Sequence, residues 1–437
     1  MEGKQYMRKK FITLILTSAM LLSFTACSKG NSGEAGLSTK DNTTEQEKTD
    51  IPEKVMWEEF TEDTTDFSIS LFKNSVEVDL NNNVNVLISP TSVLFALGMT
   101  ANGAEGDTLS EMQNVMWKNM NQESFNQDME ILNMNMTGSE DVSFNIANSI
   151  WVRDEADRIS LKEDFAAVNK EYYNSETIKA PFDDSTVEEI NNWVNNQTNG
   201  MIPTLLNDIP ETAVMYLINA MAFEGTWADE YQDYQIEEDG IFTNAAGTSE
   251  TVTMLNSQES CYLQDDSVTG FLKYYEGAEY AFMALLPNED VDLAEYVAGM
   301  TGDSYMQLYN NRIYNDVNVK IPEFSNDYDT ELSGALQQMG IKLAFDEAAD
   351  FSRMADYKEC LYISRVLHKT HIEVDRTGTK AAAVTAVETT DSEDCEPVEP
   401  KQVYLDRPFI YAIVDTQTGA PIFIGVQNSC AYVVVCR

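Results

Sequence analysis

Apolar side chains along this chain follow two periods. In "SPTSVLFALGM" a Ser-Pro pair opens an apolar run, which predicts the N-terminus of a helix. Around "NNWVNNQTNGMIPTLL" (residues 191–206), Ile190, Trp193 and Val194 share one helical face at i, i+3 and i+4. Gly200 is the expected C-cap there, and Pro203 bars continuation. Further on the pattern changes. "AFMALLP" (281–287), "VNVKIPEF" (317–324) and "FIYAIVD" (409–415) are bounded by Pro or turn residues and predict strands. "PIFIGVQN" after "DTQTGA" completes a C-terminal hairpin. Helical patterns come mainly first and strand patterns mainly late, which predicts an α+β fold. No repeat period stands out. No linker of convincing length interrupts residues 56–430, so these are read as one domain.

The chain has 437 residues, 43% hydrophobic and 10% aromatic, enough to bury a large core. Charge changes the picture more. Asp and Glu number 73 against 28 Lys and Arg, a formal net charge of −45. Such a surface repels nucleic acid and anionic membranes and steers cationic proteins toward itself. Solubility alone is the competing account of the same acidity.

The N-terminus carries an address. Lys4, Arg8, Lys9 and Lys10 precede "FITLILTSAMLLSFTA", which is too short for a convincing membrane span. "FTAC" then ends at Cys27. Small residues just before a cysteine resemble a bacterial lipobox, with Phe24 standing where that motif prefers Leu. Residues 1–27 are read as a lipoprotein signal with Cys27 as the lipidation site; an ordinary signal peptide cut nearby is the alternative. Residues 28–55 have tether composition. The domain is therefore expected outside the cell, lipid-anchored at the surface or secreted. Five further cysteines (Cys261, Cys360, Cys395, Cys430 and Cys436) show neither CxxC nor metal spacing, so no disulfide framework and no metal site are expected.

A search for a catalyst finds little. There are only two histidines, His368 and His371, in "VLHKTHIEV". In a strand an i, i+3 pair points to opposite faces, so the two do not readily share a metal or a proton. No GxSxG, HExxH, P-loop or strand-linked GxGxxG occurs. Carboxylates are everywhere and carry no specific signal. No enzyme and no cofactor are expected.

Six blocks in order carry a resemblance. They are "NVLISPTSVLFALGMTANGAEGDT" (85–108), "INNWVNNQTNGMIPTLL" (190–206), "INAMAFEGTWADEY" (218–231), "VKIPEFSNDYDTELSGALQQMGIKLAFDEAADFSRM" (319–354), "VLHKTHIEVDRTGTKAAA" (366–383) and "DRPFIYAIVDTQTGAPIFIGVQN" (406–428). Together they resemble the serpin family over roughly residues 60–428. The resemblance implies a serpin fold: a large central sheet A, two further sheets, eight to nine helices and an exposed reactive-centre loop, about residues 376–400. Residues 431–437 extend past the usual family end. The implied function is inhibition of proteases by a loop that is cleaved, inserts into sheet A and traps the acyl-enzyme.

The resemblance also implies roles. Gly378, Thr379, Lys380, Ala381, Ala382, Ala383, Val384 and Thr385 correspond to the loop's hinge. Ser89, Ser92, Asn219 and His368 correspond to the shutter beneath the sheet centre, and Trp227 to the breach at its top. Arg376 stands where the family usually has Glu, so the family's breach salt bridge is not implied for this chain.

The hinge residues fit insertion. Strand side chains alternate, and Thr379, Ala381, Ala383, Thr385 and Val387 fall on one face, all small or β-branched and uncharged. Lys380 and Glu388 lie on the other. A one-residue slip would bury Lys380. Counting 17 residues from Arg376 puts the scissile bond at Ser392–Glu393, with Asp391 and Cys395 as alternatives; counting back from Pro408 points nearer Pro397. The loop has no Lys or Arg between Lys380 and Lys401, which disfavours trypsin-like enzymes. The expected partner is an elastase-like or glutamyl-specific serine protease, a cationic one being steered best, with the inhibitor a monomer. The competing readings are a non-inhibitory serpin-fold scaffold and an acidic surface-lipoprotein adhesin.

Overall fold

The computed structural model describes residues 53–358, 360–379 and 399–431. Its helices are α1 (Glu53–Asn81), α2 (Pro90–Ala101), α3 (Gly106–Met116), α4 (Gln122–Thr137), α5 (Glu163–Tyr173), α6 (Asp184–Gln197), α7 (Leu293–Gly299), α8 (Gly302–Asn310) and α9 (Ser333–Met339). Its strands are β1 (Val86–Ile88), β2 (Val142–Arg153), β3 (Ile159–Leu161), β4 (Glu176–Ala180), β5 (Met215–Thr226), β6 (Ile236–Thr243), β7 (Ser249–Gln264), β8 (Val268–Tyr274), β9 (Tyr280–Pro287), β10 (Ile313–Pro322), β11 (Phe324–Glu331), β12 (Ala355–Tyr357), β13 (Leu367–Val374), β14 (Gly378–Thr379), β15 (Lys401–Tyr404), β16 (Phe409–Asp415) and β17 (Pro421–Gln427).

Local chemistry explains several boundaries. α2 begins where Ser89 accepts the Ser92 amide and Pro90 occupies the first turn. α6 stops slightly before the glycine expected to cap it: Thr198 is the cap, its hydroxyl donating to the Val194 carbonyl. Gly200 then closes the turn at φ +87°, its amide bonded to the Asn195 carbonyl. "VNVKIPEF" is not one strand. Pro322 ends β10, and the chain passes through Glu323 into β11 of another sheet.

Nine strands form one sheet in the order β1-β17-β16-β9-β8-β7-β10-β15, with β6 on β7. β9 and β16 lie inside it, and every residue of β9 is buried. That is why "AFMALLP" lacks alternation: both of its faces are covered. The β16–β17 turn is held by the Asp415 carboxylate, which accepts the amides of Gln417 (2.8 Å) and Thr418 (2.9 Å).

The remaining strands position the site. β14, β5, β2 and β4 make a four-stranded sheet, and β11 pairs with β13. β2 and β5 zip from Val142↔Gly225 to Val152↔Met215. β11 and β13 zip from Phe324↔Val374 to Glu331↔Leu367. Among the described residues β5 and β13 share no ladder; β14 pairs only with the end of β5, Gly378↔Thr226 and Thr379↔Gly225.

Candidate functional site

β13 ends at Val374, and the chain turns before β14. The Asp375 carboxylate shapes that turn. Its Oδ1 accepts the Thr377 amide (2.7 Å), the Thr377 hydroxyl (2.6 Å) and the Gly378 amide (3.1 Å). Gly378 follows because nothing larger fits: a Cβ there would collide with the Gly225 carbonyl oxygen. Thr379 comes next and is 2% exposed. Its hydroxyl shares a 2.8 Å hydrogen bond with the phenol of Tyr275.

Trp227, just past the end of β5, grips the same turn. Its amide donates to the Thr377 carbonyl (3.1 Å) and its indole N–H to the Asp375 carbonyl (2.9 Å). The Tyr231 amide donates to the Arg376 carbonyl (3.3 Å). Three consecutive carbonyls are thus taken by residues 227–231. The Trp227 ring stacks on Tyr275, centroids 4.7 Å apart at 11°. Such a pair contributes about 0.5–1.5 kcal/mol beyond burial.

Arg376 has a partner here. Its amide and its Nε lie 3.2 and 3.3 Å from Glu323 Oε1. A salt bridge therefore exists at this end of the sheet, with its cation on the loop side. At 46% exposure of the Arg376 side chain it stabilises by about 1 kcal/mol at most. Glu323 is the single residue between β10 and β11, outside both ladders.

Beneath the sheet, Ser89, Ser92 and His368 come together. The Ser89 hydroxyl accepts the Ser92 amide (3.3 Å) and donates to the Ile422 carbonyl (2.9 Å). The Ser89 amide donates to His368 Nε2 (3.0 Å). A nitrogen that accepts carries no proton, so the neutral ring holds its proton on Nδ1. Burial pushes the His368 pKa down to about 4. Asn219 belongs to a neighbouring row. Its amide donates to Asn148 (2.9 Å), directly opposite on β2, and Asn148 in turn donates to the Tyr173 carbonyl (2.8 Å). Ser89 reaches β5 instead at Met221, 3.5 Å from its sulfur.

His371 points to the opposite face of β13. Its Nδ1 lies 2.7 Å from Asp327, and that hydrogen bond holds the Asp327 carboxyl below its ordinary range. No cluster of three or more His, Cys, Asp or Glu residues able to hold a metal occurs among the described residues. Cys261, Cys360 and Cys430 are free thiols. Lys380, Ala381, Ala382, Ala383, Val384, Thr385, Asp391, Ser392, Glu393, Cys395 and Cys27 lie outside the described residues.

Sequence reasoning missed Tyr275, Lys273 and Glu323. Glu323 lies inside the run "VNVKIPEF", which reads as one strand, and no local signal marks it or Tyr275. Lys273 had one signal, a lone cation in the apolar run "GFLKYY".

The model of the serpin (serine protease inhibitor) family matches residues 62–429, and the chain belongs to that family. An uncharacterized serpin-like protein of Thermococcus kodakarensis is 30% identical over 364 residues, covering 82% of this chain and 83% of its own. Neuroserpin of Gallus gallus is 28% identical, covering 78% and 85%. Among solved structures, the thermophilic serpin tengpin in its native state is 40% identical, with a TM-score of 0.78 and coverage of 87% and 95%. Its latent state is 38% identical, with a TM-score of 0.75 and coverage of 85% and 98%. The fold is α+β and that of the serpins, a class of non-catalytic protease inhibitors.

Proposed function

We propose that this serpin is a suicide inhibitor of serine proteases, with residues 376–400 as bait and the edge of β5 away from β2 as the place of insertion. One observation supports this most. Among the described residues β5 and β13 lie in neighbouring sheets without a shared ladder, and Gly378–Thr379 already pairs with the end of β5. An unpaired strand edge is a template for strand addition.

The protease serine attacks the carbonyl carbon of the residue before the cut bond, for which Ser392 is the best candidate. The peptide bond to Glu393 breaks, its nitrogen leaves with a proton, and an ester joins the Ser392 carbonyl to the protease. The segment after Thr379 then adds to β5. Thr379 faces inward, so Ala381, Ala383, Thr385 and Val387 follow on the buried face and Lys380 faces out. An inserted strand of about 13 residues carries the ester roughly 45 Å. Trp227 and the Ser89–His368 contact act as breach and shutter in this reading. Cysteine proteases form an equivalent thioester and are a secondary target class.

The acidic, Lys- and Arg-free bait favours an elastase-like or glutamyl-specific enzyme, and the charge of −45 favours a cationic one. The inhibitor acts as a monomer outside the cell, tethered through Cys27 or secreted.

The test is incubation with cationic elastase-like and glutamyl-specific proteases, followed by denaturing gels and mass spectrometry. The expected result is an SDS-stable complex and a released peptide beginning within residues 389–397. Clean cleavage without any complex, and without a rise in the melting temperature of the cleaved chain, would replace inhibition by a scaffold role.

A further inference from the structure

A buried lysine sits behind the breach. Lys273, near the end of β8, and Glu259 of β7 form an ion pair at 3.0 Å, their side chains only 2% and 10% exposed. The ammonium lies 4.5 Å from the centre of the Tyr231 ring and 5.2 Å from that of Trp227. It also donates to the Asp229 carbonyl at 3.3 Å. The ring of contacts closes on itself. Ser257 donates to the same Glu259 oxygen (2.6 Å), and the Tyr231 phenol, 3.1 Å from Ser257 Oγ, must then be the donor to it.

Everything Lys273 touches between residues 227 and 231 is the segment that grips the hinge turn. Trp227 and Tyr231 supply the three N–H groups that hold the carbonyls of Asp375, Arg376 and Thr377. A buried ion pair adds little net stability compared with an apolar pair of the same shape; its attested use is to specify one arrangement. Cation–π attraction is strongest where the cation is desolvated, as here. Burial alone would lower the Lys273 pKa, but Tyr231 and Glu259 outweigh it, so the amine stays charged.

We infer that Lys273 is a positioning residue for the hinge: by fixing residues 227–231 from behind, it sets how firmly residues 375–379 stay docked on β5. The consequence for inhibition rests on the reading above. A loosened hinge slows insertion, so more inhibitor is turned over as substrate for each protease trapped.

The test uses the full chain carrying Lys273→Met together with Glu259→Gln. The pair of changes removes both charges and keeps an acceptor for Ser257, so the variant is not left with a lone buried carboxylate. Hydrogen exchange is followed by mass spectrometry. Peptides covering residues 227–231 are expected to exchange at least tenfold faster, while those of β16 and β17 are unchanged. The stoichiometry of inhibition is expected to rise severalfold with little change in association rate. Unchanged exchange at 227–231 in a folded variant would overturn the inference, and so would a uniform increase that includes β16 and β17. If the wild-type chain traps no protease, the inhibitory reading fails, and the exchange result still decides the role of Lys273.

Discussion

Tyr275 and Thr379 lie 104 residues apart in sequence, yet their hydroxyls share a 2.8 Å hydrogen bond inside the protein. Thr379→Val keeps the shape and orphans the Tyr275 hydroxyl, at about 1–3 kcal/mol. Thr379→Arg asks the same pocket to bury a charge, which costs several kcal/mol and prevents β14 from pairing. On a denaturing gel the Arg variant should appear as cleaved chain with no covalent complex. The Val variant should still form complex, in reduced yield.

Gly378→Ala tests the backbone approach alone. The added methyl group meets the Gly225 carbonyl oxygen, an atom of the β5 backbone that has no side-chain freedom to move away. Loss of the Gly378↔Thr226 pairing is expected, read as faster hydrogen exchange at residues 225–227 and a higher stoichiometry of inhibition. Unaltered values for both would mean that the hinge docks without this contact.

His368 makes stability depend on pH in a definite direction. Its pKa is about 4 in the folded chain against 6.5 when free. As pH falls through about 6.5 the unfolded chain takes up a proton and the folded chain does not, so stability drops until about pH 4. The loss attributable to this group is roughly 3 kcal/mol. Thermal melts between pH 7.5 and 4.5 should show a midpoint falling with acid, and His368→Asn should flatten that fall. An identical pH profile in the variant would remove His368 from the account.

Glu250 clamps the chain just after β17. Its carboxylate accepts from the Ser429 hydroxyl (2.6 Å), the Asn244 amide group (2.6 Å) and the Cys430 and Ala431 amides (2.8 and 3.1 Å). Burial would raise its pKa, but these donors more than offset that and hold it below the usual range. Glu250→Ala should cost about 1–2 kcal/mol, reduced from the buried value because the site is partly exposed. Faster proteolysis after residue 428 would be the accompanying sign.

Electrostatic steering is separable from bait chemistry. If the charge of −45 attracts the target, the association rate with a cationic protease should fall about tenfold or more between 50 and 500 mM salt. The stoichiometry of inhibition should stay level. A flat salt dependence would leave solubility as the explanation of the acidity.

Particular elements show what was readable in advance. Ser89 and Pro90 announced α2, and the run 409–415 coincides with β16. The opposite facing of His368 and His371 followed from strand period alone and is found in β13. Gly200 was misplaced by two positions because the Thr198 hydroxyl, bonded to the Val194 carbonyl, already serves as the cap. "VNVKIPEF" read as one strand because local pattern does not reveal a change of sheet at Pro322. Asn219 bonds to Asn148 because the β2–β5 register sets them opposite, and register between strands 71 residues apart leaves no local trace.

By itself the sequence determined most element types and the facing of residues along single strands, such as His368 against His371 in β13. These depend on neighbours one to four residues away and on the 2.0 and 3.6 periods. Only the tertiary structure decided that Trp227, Tyr275 and Glu323 converge on residues 375–379 and that Lys273 and Glu259 pack behind Trp227 and Tyr231. Convergence is set by which strands pair and in what register. Burial, which keeps His368 neutral, and the Tyr231 and Glu259 contacts that hold Lys273 charged against its own burial exist only once those strands have met.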